Sequence, residues 1–297
     1  PTVTPTVTPT VTPTVTPTVT PTNTVTPTAS PTPITSMMLR HSGSPSNINI
    51  SMYDSEFSGL SSQYSIDNGS SWVPFTGFTT IEDSLAEDHV ILVDYPVGLV
   101  YLYMGGSFKA IDAWGNIPVT IDEYNIGGPD LISVPSYLHS SITNTSGMFN
   151  GASIFNQDIS GWDMSNVTNI SSMFYNATLF NQDIGGWDVS NVTNMASAFA
   201  GTGAFNQDIG GWDVSNVTDM DSLFYQAQAF NQDLNLWDVS NVTNMYGIFS
   251  ETLVFNGNIS NWDLSSVTEM SYMFSGAVAF NSDISGWDFT ITPATNR

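Results

Sequence analysis

Asn191-Val192-Thr193-Asn194-Met195-Ala196-Ser197-Ala198-Phe199, followed by Phe205-Asn206-Gln207-Asp208-Ile209-Gly210-Gly211-Trp212-Asp213-Val214, is one copy of a pattern that returns every 25 residues. Trp162, Trp187, Trp212, Trp237, Trp262 and Trp287 mark the period without a slip, each followed by Asp. Phe155, Phe180, Phe205, Phe230, Phe255 and Phe280 form a second column, and Phe149, Phe174, Phe199, Phe224, Phe249 and Phe274 a third. Val167, Val192, Val217, Val242 and Val267 form a fourth. A single 25-residue unit cannot bury so many aromatic rings, whereas stacked units share a continuous core, so the spacing predicts a solenoid.

Within the unit, apolar residues at 192, 195, 198 and 199 have helix-like spacing with Asn or Thr available as a cap. The stretch 205–214 reads as a short strand between turns. Each unit is therefore expected to hold a strand, a turn and a short helix, giving a mixed α/β, leucine-rich-repeat-like solenoid. Ile142-Thr143-Asn144 through Met148-Phe149 fits the same register, and Phe108-Lys109-Ala110-Ile111-Asp112-Ala113-Trp114-Gly115 reads as a divergent opening turn. The solenoid is expected over 105–289, with a tail at 290–297.

Upstream, residues 37–104 read as a small β-rich domain. Runs such as Asn49-Ile50-Ser51-Met52-Tyr53 and His89-Val90-Ile91-Leu92-Val93-Asp94-Tyr95 alternate with turn signals, of which Asn68-Gly69 is the strongest. Residues 1–36 differ again. The first 33 contain only Pro, Thr, Val, Ser, Ala and Asn, a composition that cannot form a core. As polyproline II this tract would be a stalk reaching roughly 100 Å. Its even positions from Thr2 to Thr32 are Thr except at Ser30. Thr2, Thr4, Thr6, Thr8, Thr10, Thr12, Thr14, Thr16, Thr18 and Thr20 head the candidate O-glycosylation sites. A strand that pairs along one edge is the alternative, because every proline is at an odd position and blocks only the other edge.

Charge narrows the partners. Arg40, Lys109 and Arg297 stand against 27 acidic residues, for a net charge of −24, which repels nucleic acid and anionic membranes. There is no cysteine, so disulfides, thiol catalysis and thiolate metal sites are excluded. No apolar run approaches the roughly 20 residues that span a bilayer.

The string Met-Phe-x-x-Ala-x-x-Phe-Asn-Gln-Asp-Ile-x-x-Trp-Asp-Val-Ser-Asn-Val-Thr-Asn-Met resembles the repeat of BspA-like leucine-rich-repeat surface proteins, over roughly 140–289. That resemblance implies bacterial surface display, a leucine-rich-repeat fold and a role in adhesion or attachment, and it supplies no catalytic residue.

Three sets of residues invite a functional reading. The Trp column could be an exposed ladder for stacking sugars, but six aromatics on one face would make a large apolar patch, so core packing is expected for Trp162, Trp187, Trp212, Trp237, Trp262 and Trp287. Asp158, Asp183, Asp208, Asp233 and Asp283, with the Asp after each Trp, place like charges on successive turns. Each is expected to accept backbone amides in its own turn; Ca²⁺ held between successive carboxylates is the alternative. Acids repeated equally in every unit do not suit catalysis, which needs two unlike carboxylates in one cleft. The Asn-Val-Thr triplets at 166, 191, 216 and 241 match an N-glycosylation pattern, but stacked glycans would crowd, and a buried or bridging Asn ladder is expected. His41, His89 and His139 show no metal-ligand spacing.

The expected function is therefore structural and extracellular, without an enzyme activity or a cofactor other than the Ca²⁺ alternative and covalent glycans. Copies of the chain would assemble into an open helical homopolymer, a surface filament with the solenoid around a glycosylated stalk. The alternative is a monomeric surface adhesin that binds a host protein or glycan through the solenoid face.

Overall fold

The computed structural model describes the backbone of nine strands between Met37 and Thr120, and the chain at 128–129, 131–140 and 142–288. The expectations for the stalk, its glycans and the C-terminal tail fall outside the described residues.

The strands are β1 (Met37–His41), β2 (Ser46–Tyr53), β3 (Ser62–Ser65), β4 (Val73–Phe75), β5 (Phe78–Asp83), β6 (His89–Asp94), β7 (Val100–Gly105), β8 (Phe108–Ala113) and β9 (Val119–Thr120). They form a five-stranded sheet in the order β4-β3-β6-β1-β8 and a four-stranded sheet in the order β5-β2-β7-β9. All pairings are antiparallel except β7 with β9. The segment expected as the opening turn of the solenoid, 108–113, is instead β8, paired with β1 through two register shifts. Its alternation, Phe108, Ala110 and Asp112 against Lys109, Ile111 and Ala113, suits a strand as well as a solenoid turn. Sheet pairing thus runs past the boundary expected at 104/105.

From 142 onward the chain is a stack of turns, and here the expected mixed α/β solenoid is wrong. Among the described residues there is no helix, and the ladder between turns shrinks to single parallel bridges, Asn144 to Asn169, Asn169 to Asn194, Asn194 to Asp219, Asp219 to Asn244 and Asn244 to Glu269. The reason lies in where the amides go. A helix keeps its amides within itself, each donating four residues back. Here Ile170, Ser172, Phe174 and Asn176 donate to the carbonyls of Asn194, Ala196, Ala198 and Ala200 in the next turn, at 2.8–3.1 Å. The residues between them, Met173, Tyr175 and Ala177, donate three residues back, at 2.9–3.1 Å. The result is a ribbon of consecutive tight turns, bonded alternately to itself and to its neighbour.

That ribbon needs left-handed backbone at two places per unit. One column contains Gly147 (φ 63°), Ser172, Ser197, Ser222, Gly247 and Tyr272, the other Gly151 (φ 73°), Asn176, Gly201, Gln226, Glu251 and Gly276, all with positive φ. Each non-glycine residue in such a conformation costs about 1–2 kcal/mol. The inter-turn bonds, donated by these same residues in the interior turns, offset it.

The core is aromatic. Phe149 and Phe155 stack within one turn at 4.2 Å, and the equivalent pairs down the array lie at 3.9–4.4 Å. Between turns, the Phe149 column repeats at 5.3–5.8 Å and the Phe155 column at 5.9–6.0 Å. Ring contacts of this kind add about 0.5–1.5 kcal/mol each beyond area burial, which is why a unit with so little regular secondary structure can still be rigid.

Candidate functional site

The six Trp side chains are buried, at 3–6% exposure. Each indole reaches back one turn: Trp187 Nε1 donates to the Ile159 carbonyl at 3.2 Å, Trp212 to Ile184 at 3.1 Å and Trp237 to Ile209 at 3.0 Å. The column is a spine, and it offers no face to a sugar.

The Asp columns are engaged locally. Asp158 Oδ1 accepts the Ser160 amide at 2.9 Å, Asp183 that of Gly185 at 3.0 Å, Asp208 that of Gly210 at 3.0 Å and Asp283 that of Ser285 at 2.9 Å. Asp233 departs from the pattern and accepts the Asn258 amide of the next turn at 2.7 Å. In the second column Asp163, Asp188, Asp213 and Asp238 each accept both the amide and the hydroxyl of the serine two residues on. Serine hydroxyls, then serine amides, hold Asp158, Asp163, Asp213 and Glu269 below the usual carboxylate range; for Asp263 and Asp283 the amide is the larger cause. Among the described residues no three His, Asp or Glu side chains converge as a metal site requires.

The Asn-Val-Thr triplets bridge turns. Asn191 Nδ2 donates to the Ser165 carbonyl at 2.7 Å, Asn216 to Ser190 at 2.8 Å and Asn241 to Ser215 at 2.8 Å, all from exposed positions. Thr193, Thr218, Thr243 and Thr268 donate amide and hydroxyl together to the threonine carbonyl one turn earlier. Another ladder was not singled out from the sequence: Asn144, Asn169, Asn194, Asp219 and Asn244 each cap the amide two residues on. Its signal was an Asn or Asp two residues after four of the five valines of the fourth column, with Glu269 after Val267. Of the histidines, His139 is half-buried, while the β1–β6 register sets His41 opposite His89, a pairing that linear spacing hides.

With these bonds assigned, the exposed positions fall into two kinds. Those of the Asp, Asn and Thr ladders are nearly constant from turn to turn, and hydrogen bonds account for that constancy. Those of the ribbon vary: the column of Ser146, buried at Ser146 and Ser271, reads Ser, Ser, Ala, Asp, Tyr, Ser, and that of Asn150, buried at Ala200 and Ser250, reads Asn, Tyr, Ala, Tyr, Ser, Ser. Tyr175, Tyr246 and Tyr272 are exposed there, at 36%, 40% and 63%. Tyr246 and Tyr272 meet edge to face at 5.5 Å. The ribbon is the candidate functional face.

Neither a curated protein nor a solved structure matches the chain. A family profile does, at residues 131–237 and again at 195–296, together more than half of the chain. Both matches fall on the repeat array, and the chain accordingly belongs to the family described as Mycoplasma protein of unknown function, DUF285.

Proposed function

We propose that this is a non-catalytic, extracellular surface protein whose repeat array is a rigid scaffold for binding, with the ribbon as its contact face. The observation that carries this reading is the split between exposed positions fixed by hydrogen bonds and exposed positions that vary without a structural duty. Exposed tyrosines on a rigid backbone give contact area at small entropic cost, which is why they are enriched where proteins bind. The acidic field fits contact with neutral or cationic groups.

The test uses the full chain and a sensor surface coated with mucin stripped of its sialic acid and sulfate, so that the glycans it presents are neutral. A triple variant, Tyr175→Ser, Tyr225→Ser and Tyr246→Ser, gives each position a residue that its own column carries elsewhere. The parent should adhere and the triple variant should lose most of that adhesion with an unchanged melting curve. Equal adhesion by both would refute the ribbon as the contact face.

A second reading, a self-assembling filament subunit, draws on one feature of the last turn. The amides of Tyr272, Phe274 and Gly276 stand where earlier turns donate forward, and among the described residues they have no acceptor. Phe274 and Phe280 beside them are only partly buried. An unpaired row of donors beside an apolar surface is a template for another chain. Electron microscopy of the purified chain decides it: filaments that persist on deletion of residues 1–33 support assembly through the last turn, filaments that disappear assign it to the stalk, and uniform monomers at high concentration exclude it.

A further inference from the structure

Between the ribbons of the first three turns lies a cleft of ≈ 360 Å³ lined by the small side chains of Ser146, Ser171, Ser172, Ala196 and Ser197 with Asn150 and Asn194. Three turns on in the same columns stand Asp221 and Ser222, and beyond them Tyr246 and Tyr272, so the cleft is confined to one end of the array. Its volume lies at the low end of small-molecule sites, about 300–1,000 Å³.

The polar groups of this cleft contrast with those of the ladders. In the ladders, each Asn, Asp and Thr side chain is committed to a backbone group. Within the cleft, the hydroxyls of Ser171, Ser172 and Ser197 and the amide of Asn150 make no hydrogen bond among the described residues. Ser146 makes the stronger case. It is 1% exposed, and its Oγ is the one buried side-chain polar atom among the described residues without a hydrogen-bond partner. A buried hydroxyl left unsatisfied is destabilising, and native proteins rarely keep one without a partner.

We infer that the cleft is a binding site for a neutral saccharide, with Ser146 Oγ as its deepest hydrogen-bonding group. This rests on the scaffold reading above and names its ligand. A ligand that pairs with several neutral hydroxyls and an amide is itself rich in neutral donors and acceptors, as a saccharide is, and no charged side chain lines the cleft to neutralise an ion. A net charge of −24 disfavours anionic sugars.

The experiment titrates the full chain with maltotriose, cellotriose and chitotriose, with sialyllactose as an anionic control, by calorimetry and by NMR of labelled protein. At least one neutral trisaccharide should bind saturably and sialyllactose should not. Ala196→Tyr, which copies the Tyr246 position of a later turn and so suits the fold, should weaken binding more than tenfold. Ser146→Ala should weaken it roughly threefold to tenfold, the loss of one hydrogen bond, without lowering the melting temperature. Saturable binding that Ala196→Tyr leaves intact would overturn the site, as would the absence of saturable binding by a natively folded chain. If no trisaccharide binds while the triple tyrosine variant still abolishes adhesion to mucin, the saccharide cleft fails and the binding scaffold survives; if adhesion is also insensitive, both fail.

Discussion

Asp213, Asn216 and Thr218 are exposed, and so are Tyr246 and Tyr272. The first three recur in nearly every turn, while each of the two tyrosines occurs once in its column. Their hydrogen bonds explain the contrast. Asp213 holds the amide and hydroxyl of Ser215, Asn216 holds the Ser190 carbonyl at 2.8 Å and Thr218 holds that of Thr193. The tyrosines meet each other and otherwise face water. Solvent exposure therefore does not by itself free a position to vary in a solenoid, because repetition makes each exposed polar group a strut to the next turn. The positions free to carry function are those that no neighbour needs.

The sharpest test of this division lies beneath both faces. Trp212→Ala removes a ring that is 3% exposed and stacked on Trp187 at 6.4 Å, and it leaves the Ile184 carbonyl without its indole donor. The cost should be about 3–5 kcal/mol. Because turns are stable only through their neighbours, the loss should show in hydrogen exchange as broken protection in the flanking turns as well. A parent-like melt would mean that the aromatic stack is not what holds the array.

Acid acts on the ladder face. Asp158, Asp163, Asp213, Asp263, Asp283 and Glu269 have folded pKa values lowered by serine hydroxyls and amides. A lowered folded pKa contributes stability that is complete above the unfolded value and is lost as pH falls through the folded value. The melting temperature should therefore be flat from pH 7 to about pH 5 and fall below about pH 4. Replacing the ribbon tyrosines should leave that profile unmoved. A melting temperature that rises on acidification would show that repulsion between stacked carboxylates outweighs their caps.

How much of this was legible in the sequence follows the same division. The period and the Phe and Trp columns could be read directly, since burial demands apolar residues at fixed spacing. The expected helix was wrong because the spacing 192, 195, 198, 199 is shared by a ribbon of tight turns, and apolar spacing does not say where amides donate. Two columns carried the missing signal: the positions of Gly147 and Gly151 hold Gly, Ser, Asn, Gln, Glu and Tyr, with glycine in two of six and three of six, as left-handed backbone would select. The cleft at Ser146 was invisible for another reason. Which serine lacks a partner depends on contacts 25 or more residues apart, and single-residue composition holds no trace of them.

A milder test separates strut from free position on the same surface. Asn216→Ala removes one inter-turn bond and leaves the Ser190 carbonyl to water, so it should destabilise by about 0.5–1.5 kcal/mol. Repeating the change at Asn191 and Asn241 should add nearly independent increments, since each Asn serves a different pair of turns. Chemical denaturation of the single and triple variants measures both effects; a null result for the triple variant would show the Asn column to be ornamental.

The smallest effect is expected at Tyr272, where opposing contributions nearly cancel. Its φ of 60° places a bulky side chain in left-handed backbone, a conformation worth relieving by about 1–2 kcal/mol. Tyr272→Gly gains that relief, and Gly147 and Gly247 in the same column are its precedent. Against this, the variant loses the edge contact to Tyr246, about 0.5–1 kcal/mol at a 63% exposed site. The added freedom of an unfolded glycine costs roughly another 0.5–1 kcal/mol. The sum should fall within about 1 kcal/mol of zero, so the denaturation midpoint should stay close to the parent's while adhesion through the ribbon drops. A loss above about 1.5 kcal/mol would mean that Tyr272 is a strut like Asn216, and the line between the fixed and the free face would have to be drawn elsewhere.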